Sequence, residues 1–306
     1  MRQIPLWFAA ATGLLTGCGQ ETIARWMIEY NTLPGRVRLA MAGDPDKLLR
    51  RGEIDTHLRL PAPDGTEIDV WTIRGRTPAV SQPTADPQGT VLLIHGLWDS
   101  KVLMLPTGRE LAKLGYDVIL PDLRAHGASG GTYVTWGAQE TDDLRAVVDE
   151  LLRRGTVHEP LYVVGFSMGG GIAIQYAAAD RRCRAVMALA PVASAERILR
   201  RIVRPLKLGM RKGDVDAAFA RAGGLAGVDL NQASAVDAGR HLHCPLLLVH
   251  GTLDWMVPHD HSRLIHAAAP GPKDLITVPR KTHTGLIFGR AKWNARHLDA
   301  LARTAR

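Results

Sequence analysis

The chain predicts an α/β fold with a mostly parallel sheet and helices on both faces. Three observations carry that prediction. From residue 90 onward, short apolar runs alternate with stretches of helical periodicity, the pattern of successive strand–helix–strand units. Leu161-Tyr-Val-Val-Gly165-Phe-Ser167-Met-Gly169 then passes from an apolar run through Gly-x-Ser-x-Gly into small and apolar residues at helical spacing. This reads as a buried strand turning sharply into a helix, with the serine at the turn. Finally, Gly251-Thr-Leu-Asp254 and Pro279-Arg-Lys-Thr-His283 each follow a further apolar run. An acid and an imidazole therefore fall in loops after strands, where the chain order Ser, Asp, His of one class of hydrolytic site places them.

The elements follow in order. Residues 19–50 precede the alternating pattern and hold one short amphipathic helix, over 23–30. Residues 57–61 and 67–73 alternate in polarity around Pro63-Asp-Gly65 and predict a β-hairpin. The Pro-, Thr- and Gln-rich stretch 76–88 reads as a loop. Strands are expected over 90–94, 117–120, 161–166, 185–189, 246–250 and 274–278. Helices are expected over 101–114, 137–153, 168–179 and 260–268, and from 286 to the C-terminus. An interruption at about 194–243 separates two core strands. In it Arg197, Arg200, Arg201, Arg204, Lys207, Arg211 and Lys212 interleave with Ile198, Leu199, Ile202, Val203, Leu206 and Leu208. That cationic amphipathic pattern fits a solvated helix face, or a lid over the site that touches an anionic membrane.

Composition narrows the function classes. With 306 residues, 46% hydrophobic and 22% charged, the chain can bury a large core. Its net charge is +8, from 38 Lys+Arg against 30 Asp+Glu, but no nucleic-acid motif accompanies the excess. The absence of His-Glu-x-x-His and Cys-x-x-Cys implies no metal. Gly169-Gly-Gly171 lacks the Lys-Ser/Thr of a phosphate-binding loop, so no nucleotide cofactor is expected.

The chemistry is that of an activated serine. A hydroxyl attacks poorly unless a base takes its proton. Ser167 is the expected nucleophile, His283 the general base and then acid, and Asp254 the carboxylate that orients His283. The oxyanion donors are expected to be the backbone N–H groups of Met168 and of Leu97, in Ile94-His95-Gly96-Leu97-Trp98. His259, His261 and His266 compete with His283 but fall in or beside a helix. Glu196 is a reserve acid. His126 and Asp122 are expected to shape a neighbouring loop, and His250 to be structural. The products of such a site are those of ester hydrolysis through an acyl-enzyme, with amide or thioester cleavage, or binding without catalysis, as alternatives.

His95-Gly96, Pro121-Asp-Leu-Arg-Ala-His-Gly127-Ala-Ser-Gly, Gly165-Phe-Ser-Met-Gly-Gly170, Gly251-Thr-Leu-Asp254 and His283 appear in order. With these motifs the chain resembles the α/β-hydrolases, in the branch of monoacylglycerol lipases and serine aminopeptidases, over residues 56–300. The resemblance implies an eight-stranded sheet with an antiparallel second strand, and a small helical cap after the sixth. It does not name a substrate.

The N-terminus carries a second signal. Met1-Arg2 precedes an apolar run over residues 4–15, too short to span a bilayer comfortably, and Leu15-Thr-Gly-Cys18 follows. This resembles a bacterial lipoprotein signal peptide. It implies cleavage before Cys18, acylation of that cysteine, and a cell-envelope location; Gly19 after the cysteine points to the outer membrane. Residues 1–17 are then the signal, 18–50 a tether, and 51–306 the hydrolase domain. Cys183 and Cys244 each lie seven residues before the matching end of a core strand. They fit either a disulfide, which export would permit, or two separate buried thiols. Oligomeric state is not legible.

Overall fold

A computed structural model describes residues 20–29, 44–76, 87–203 and 212–305. The apolar run 4–15, Cys18, most of the loop 76–88, and Arg204, Lys207 and Arg211 lie outside the described residues.

The hairpin forms as expected. β1 (Thr56–Pro61) pairs antiparallel with β2 (Glu67–Ile73), which in turn runs antiparallel to β4 (Asp117–Pro121). β3 (Thr90–Ile94), β5 (Leu161–Phe166), β6 (Cys183–Leu189), β7 (Leu246–Gly251) and β8 (Lys273–Val278) complete an eight-stranded sheet. Its order is β1-β2-β4-β3-β5-β6-β7-β8, parallel from β4 to β8. The central strands β3, β4, β5 and β7 are buried at every residue. That is why they read as unbroken apolar runs rather than alternations.

Period-two geometry splits each central strand between two cores. On one face, Val91 and Leu93, Tyr162 and Val164, and Leu247 and Val249 meet α3 (Lys101–Lys113) and α10 (Ala291–Thr304). On the other, Leu92 and Ile94, Leu161 and Val163, and Leu246 and Leu248 meet α4 (Glu140–Arg153) and α5 (Met168–Ala179). Helices therefore cover both faces. The expected helix 137–153 begins three residues late, at Glu140. Its carboxylate instead accepts the N–H groups of Thr135 (2.7 Å) and Gly137 (2.7 Å) and closes the preceding loop. The last helix begins at Ala291 rather than 286, because Thr284–Leu286 forms a single 3₁₀ turn.

The N-terminal segment does more than space the domain. α1 (Gln20–Ile28) buries Ile23, Ala24, Met27 and Ile28 in the core, and the Trp136 indole donates to the Met27 carbonyl at 3.3 Å. α1 packs on α7 (Lys212–Ala226), and Arg221 of α7 bonds Glu21 at 2.6 Å. α2 (Pro45–Arg50) follows, capped by Asp44. Between β6 and β7 stand α6 (Ala195–Val203), α7, a 3₁₀ turn and α8 (Ala235–Gly239), and α9 (Asp260–Ala268) follows β7. No described helix is long and apolar enough to cross a membrane.

The disulfide is not formed: Cys183 and Cys244 are buried free thiols. β6 bulges between Cys183 and Ala185, where Leu161 pairs with Cys183 but Tyr162 with Ala185. The thiols meet through a hydrogen bond instead. That bond, and then burial, pushes the Cys183 thiol up.

Candidate active site

Ser167 stands between β5 and α5 with φ +58° and ψ −118°. For a residue with a Cβ this is strained backbone, of the kind that clusters at functional sites. Close packing holds it there. A Cβ on Gly169 would lie 2.2 Å from the His95 carbonyl oxygen, and one on Gly165 would lie 2.0 Å from the Gly169 oxygen. Only glycine lets α5 press this tightly onto β5 and the end of β3. The Ser167 N–H donates to Leu189 O on β6 (2.8 Å), which pins the turn.

Three side chains converge. The Ser167 hydroxyl lies 2.8 Å from His283 Nε2, and His283 Nδ1 lies 2.6 Å from Asp254 Oδ2. A carboxylate accepts, so Nδ1 carries the proton and Nε2 accepts from the serine hydroxyl. All three residues are buried, and the Phe166 ring packs 4.8 Å from the imidazole. Asp254 Oδ1 accepts from the N–H groups of Met256 (3.0 Å) and Val257 (2.9 Å). Burial alone would raise its pKa. Hydrogen bonds from His250, His283 and the Val257 N–H outweigh that and hold it at about 2. The two loops are stitched together, with Leu253 N–H donating to Lys281 O (2.9 Å) and Arg280 N–H to Thr252 Oγ1 (2.9 Å).

The loop after β3 approaches the serine. A Cβ on Gly96 would lie 3.2 Å from Ser167 Cβ. His95 fixes this loop. The Leu123 N–H donates to its Nε2 (3.0 Å), so Nδ1 holds the proton and donates to Gly96 O (2.8 Å). Burial lowers the His95 pKa well below its usual value and keeps the ring neutral. Leu97 follows directly. Met168 opens α5, where the first N–H groups have no acceptor inside the helix.

The remaining candidates fall elsewhere. Glu196 is exposed on α6 and pairs with Arg200 (2.9 Å). His261 accepts from Ala193 N–H (3.0 Å), and His259 bonds Thr277 Oγ1 (2.9 Å). His266 is half-buried on α9. His126 bonds Arg124 O (2.9 Å), and Asp122 accepts from the Ala128 N–H (2.8 Å), both within one loop. α6 turns Ile198, Leu199 and Val203 inward, while its Arg197 pairs with Asp260 and its Arg200 with Glu196 and Asp216. Arg201 donates to Trp255 O (3.0 Å), joining α6 to the loop of the acid. Leu253 and Trp255, either side of Asp254, are 55% and 56% exposed, and Phe288 is 57% exposed. No group of three His, Cys, Asp or Glu side chains among the described residues could hold a metal.

Sequence reasoning missed Lys101. It has no exposed surface, bonds the Asp69 carboxylate (2.7 Å) and Asp122, and lies 4.6 Å from the Trp71 ring centroid. A lysine at the start of a helix gives no signal of burial. Only the hairpin, which brings Asp69 beside β4, reveals it.

This architecture is that of the α/β-hydrolases. Residues 89–226 match the family described as alpha/beta hydrolase fold. An esterase of Pyrococcus furiosus superposes with a TM-score of 0.64 at 20% identity, over 84% of this chain and 94% of that one. By sequence, the chain is 25% identical to the YfhR protein of Escherichia coli strain K12 over 239 residues, 75% of this chain and 73% of that protein. It is 37% identical to YqkD of Bacillus subtilis over 31% of each chain, so that match spans about a third of YqkD. A monoacylglycerol lipase of Mycolicibacterium smegmatis is 32% identical over 36% of each chain. The chain has the α/β-hydrolase fold.

Proposed function

We propose that the protein is a serine esterase that acts through an acyl-enzyme on Ser167. The observation that carries this reading is the unbroken hydrogen-bonded line from Ser167 Oγ through His283 to Asp254. As Ser167 Oγ attacks the ester carbonyl, its proton passes to His283 Nε2. Ionised Asp254 stabilises the imidazolium and holds its orientation. The N–H groups of Leu97 and Met168 receive the oxyanion. His283 then gives the proton to the departing alcohol, and water reverses the sequence to release the acid. The exposed apolar side chains of Leu253 and Trp255, which flank Asp254, favour an acyl ester of lipid origin.

The test is hydrolysis of p-nitrophenyl esters of increasing acyl length, with Ser167→Ala beside the wild type. Loss of kcat by about 10⁴-fold or more in a folded variant supports the reading. Retained activity overturns it, and a preference for amides or thioesters redirects it. On the same terms, Cys18 is the acylated residue of an envelope lipoprotein. Metabolic labelling with palmitate should mark the wild type and not Cys18→Ser.

A further inference from the structure

β7 delivers a second imidazole to the acid. His250 is the next-to-last residue of β7 and has no exposed surface. Its Nε2 lies 2.9 Å from the Val257 carbonyl oxygen, and its Nδ1 lies 2.7 Å from Ser262 Oγ on α9. A carbonyl only accepts, so Nε2 carries the proton and Nδ1 accepts from the Ser262 hydroxyl. That same Nε2 atom lies 3.4 Å from Asp254 Oδ2, the oxygen that also takes the His283 bond. Backbone N–H groups occupy the other oxygen.

We propose that His250 is a positioning residue for Asp254, a second donor that fixes which carboxylate oxygen faces His283. The inference rests on the serine-esterase reading. It goes further by giving the acid a tautomer-locked partner set by Ser262 and Val257. The titratable and charged groups around His250 are Asp254 and His283 from the two loops, and His259 and His261 beside α9, with the His259 ring 5.1 Å away. Sharing Oδ2 between two donors weakens its hold on His283 Nδ1–H. Without His250, Asp254 binds the imidazolium more strongly, and the base stays protonated to higher pH.

The experiment compares His250→Leu, His250→Gln and His250→Asn with wild type, using kcat and KM across pH. Active enzyme is counted with a fluorophosphonate. His250→Leu should lower kcat about tenfold with KM little changed. It should also move the acid limb of the kcat/KM profile up by about half a pH unit. The Gln amide reaches the place of Nε2 and should keep most activity, whereas Asn reaches only the place of Nδ1 and should behave like Leu. A wild-type kcat and acid limb in the Leu and Asn variants overturn the proposal, as does Asn equalling or exceeding Gln. If the Leu variant does not fold, the Gln–Asn comparison decides. Activity in Ser167→Ala would sink the esterase reading itself. A dead Ser167→Ala beside unaltered His250 variants would sink only this inference.

Discussion

Replacing Gly169 with alanine puts one carbon where backbone already stands. The new Cβ falls 2.2 Å from the His95 carbonyl oxygen and 2.6 Å from that of Ile94. Both are main-chain atoms, so neither can swing aside as a side-chain tip would. Restoring ordinary contact requires the end of β3 and the start of α5 to part by about 1 Å, an overpacking strain of about 1–3 kcal/mol. The same displacement moves Gly96 and Leu97 away from Ser167, and about 1 Å of misplacement at a reacting centre costs about 10²-fold in rate. Gly169→Ala should therefore unfold at lower urea concentration and lose kcat/KM on a short p-nitrophenyl ester out of proportion to its folded fraction. Counting active sites with a fluorophosphonate separates the two effects. A variant within about threefold of wild-type activity and about 0.5 kcal/mol of its stability would refute the packing argument.

Three further perturbations test other parts. Lys101→Met leaves the Asp69 and Asp122 carboxylates buried without their cation; it should cost about 3–5 kcal/mol in chemical denaturation. Asp254→Asn should lower kcat by about 10⁴-fold in ester hydrolysis. Because Asp254 is held at about 2 against an ordinary 3.8, its contribution of about 2 kcal/mol is present above pH 4 and lost as the pH falls toward 2. The stability gap between wild type and this variant should close over that window in acid titration. Met27→Ala should cost about 2–5 kcal/mol in thermal or urea unfolding, since Met27 is fully buried; no loss would show that α1 is a loose leader.

The fold was legible because parallel central strands declare themselves as apolar runs, and Gly, Pro and Asp punctuate them. Ser167, Asp254 and His283 were legible because each follows such a run, and chain order does the rest. What escaped depends on contacts between elements far apart in sequence. Lys101 looks like any helix-start lysine until Asp69 arrives from the hairpin. His250 looks structural until Asp254, four residues on, folds back beneath it. An amphipathic α1 announces an apolar face but not the α7 surface that receives it. The cysteines showed the right spacing, and the two thiols do meet between β6 and β7.

The docking of α1 bears on mechanics as well as stability. Gln20, its first residue, stands two positions after Cys18. If Cys18 carries the acyl chains, the leash between lipid and folded protein reaches only about 7 Å at full extension. Because α1 is packed into the domain and against α7, such a leash gives the domain little freedom to tumble. The enzyme would then ride the membrane like a keeled hull, with α1 and α7 held low. The height and tilt of the Ser167 opening above the lipid would follow from the fold rather than from chance rotation.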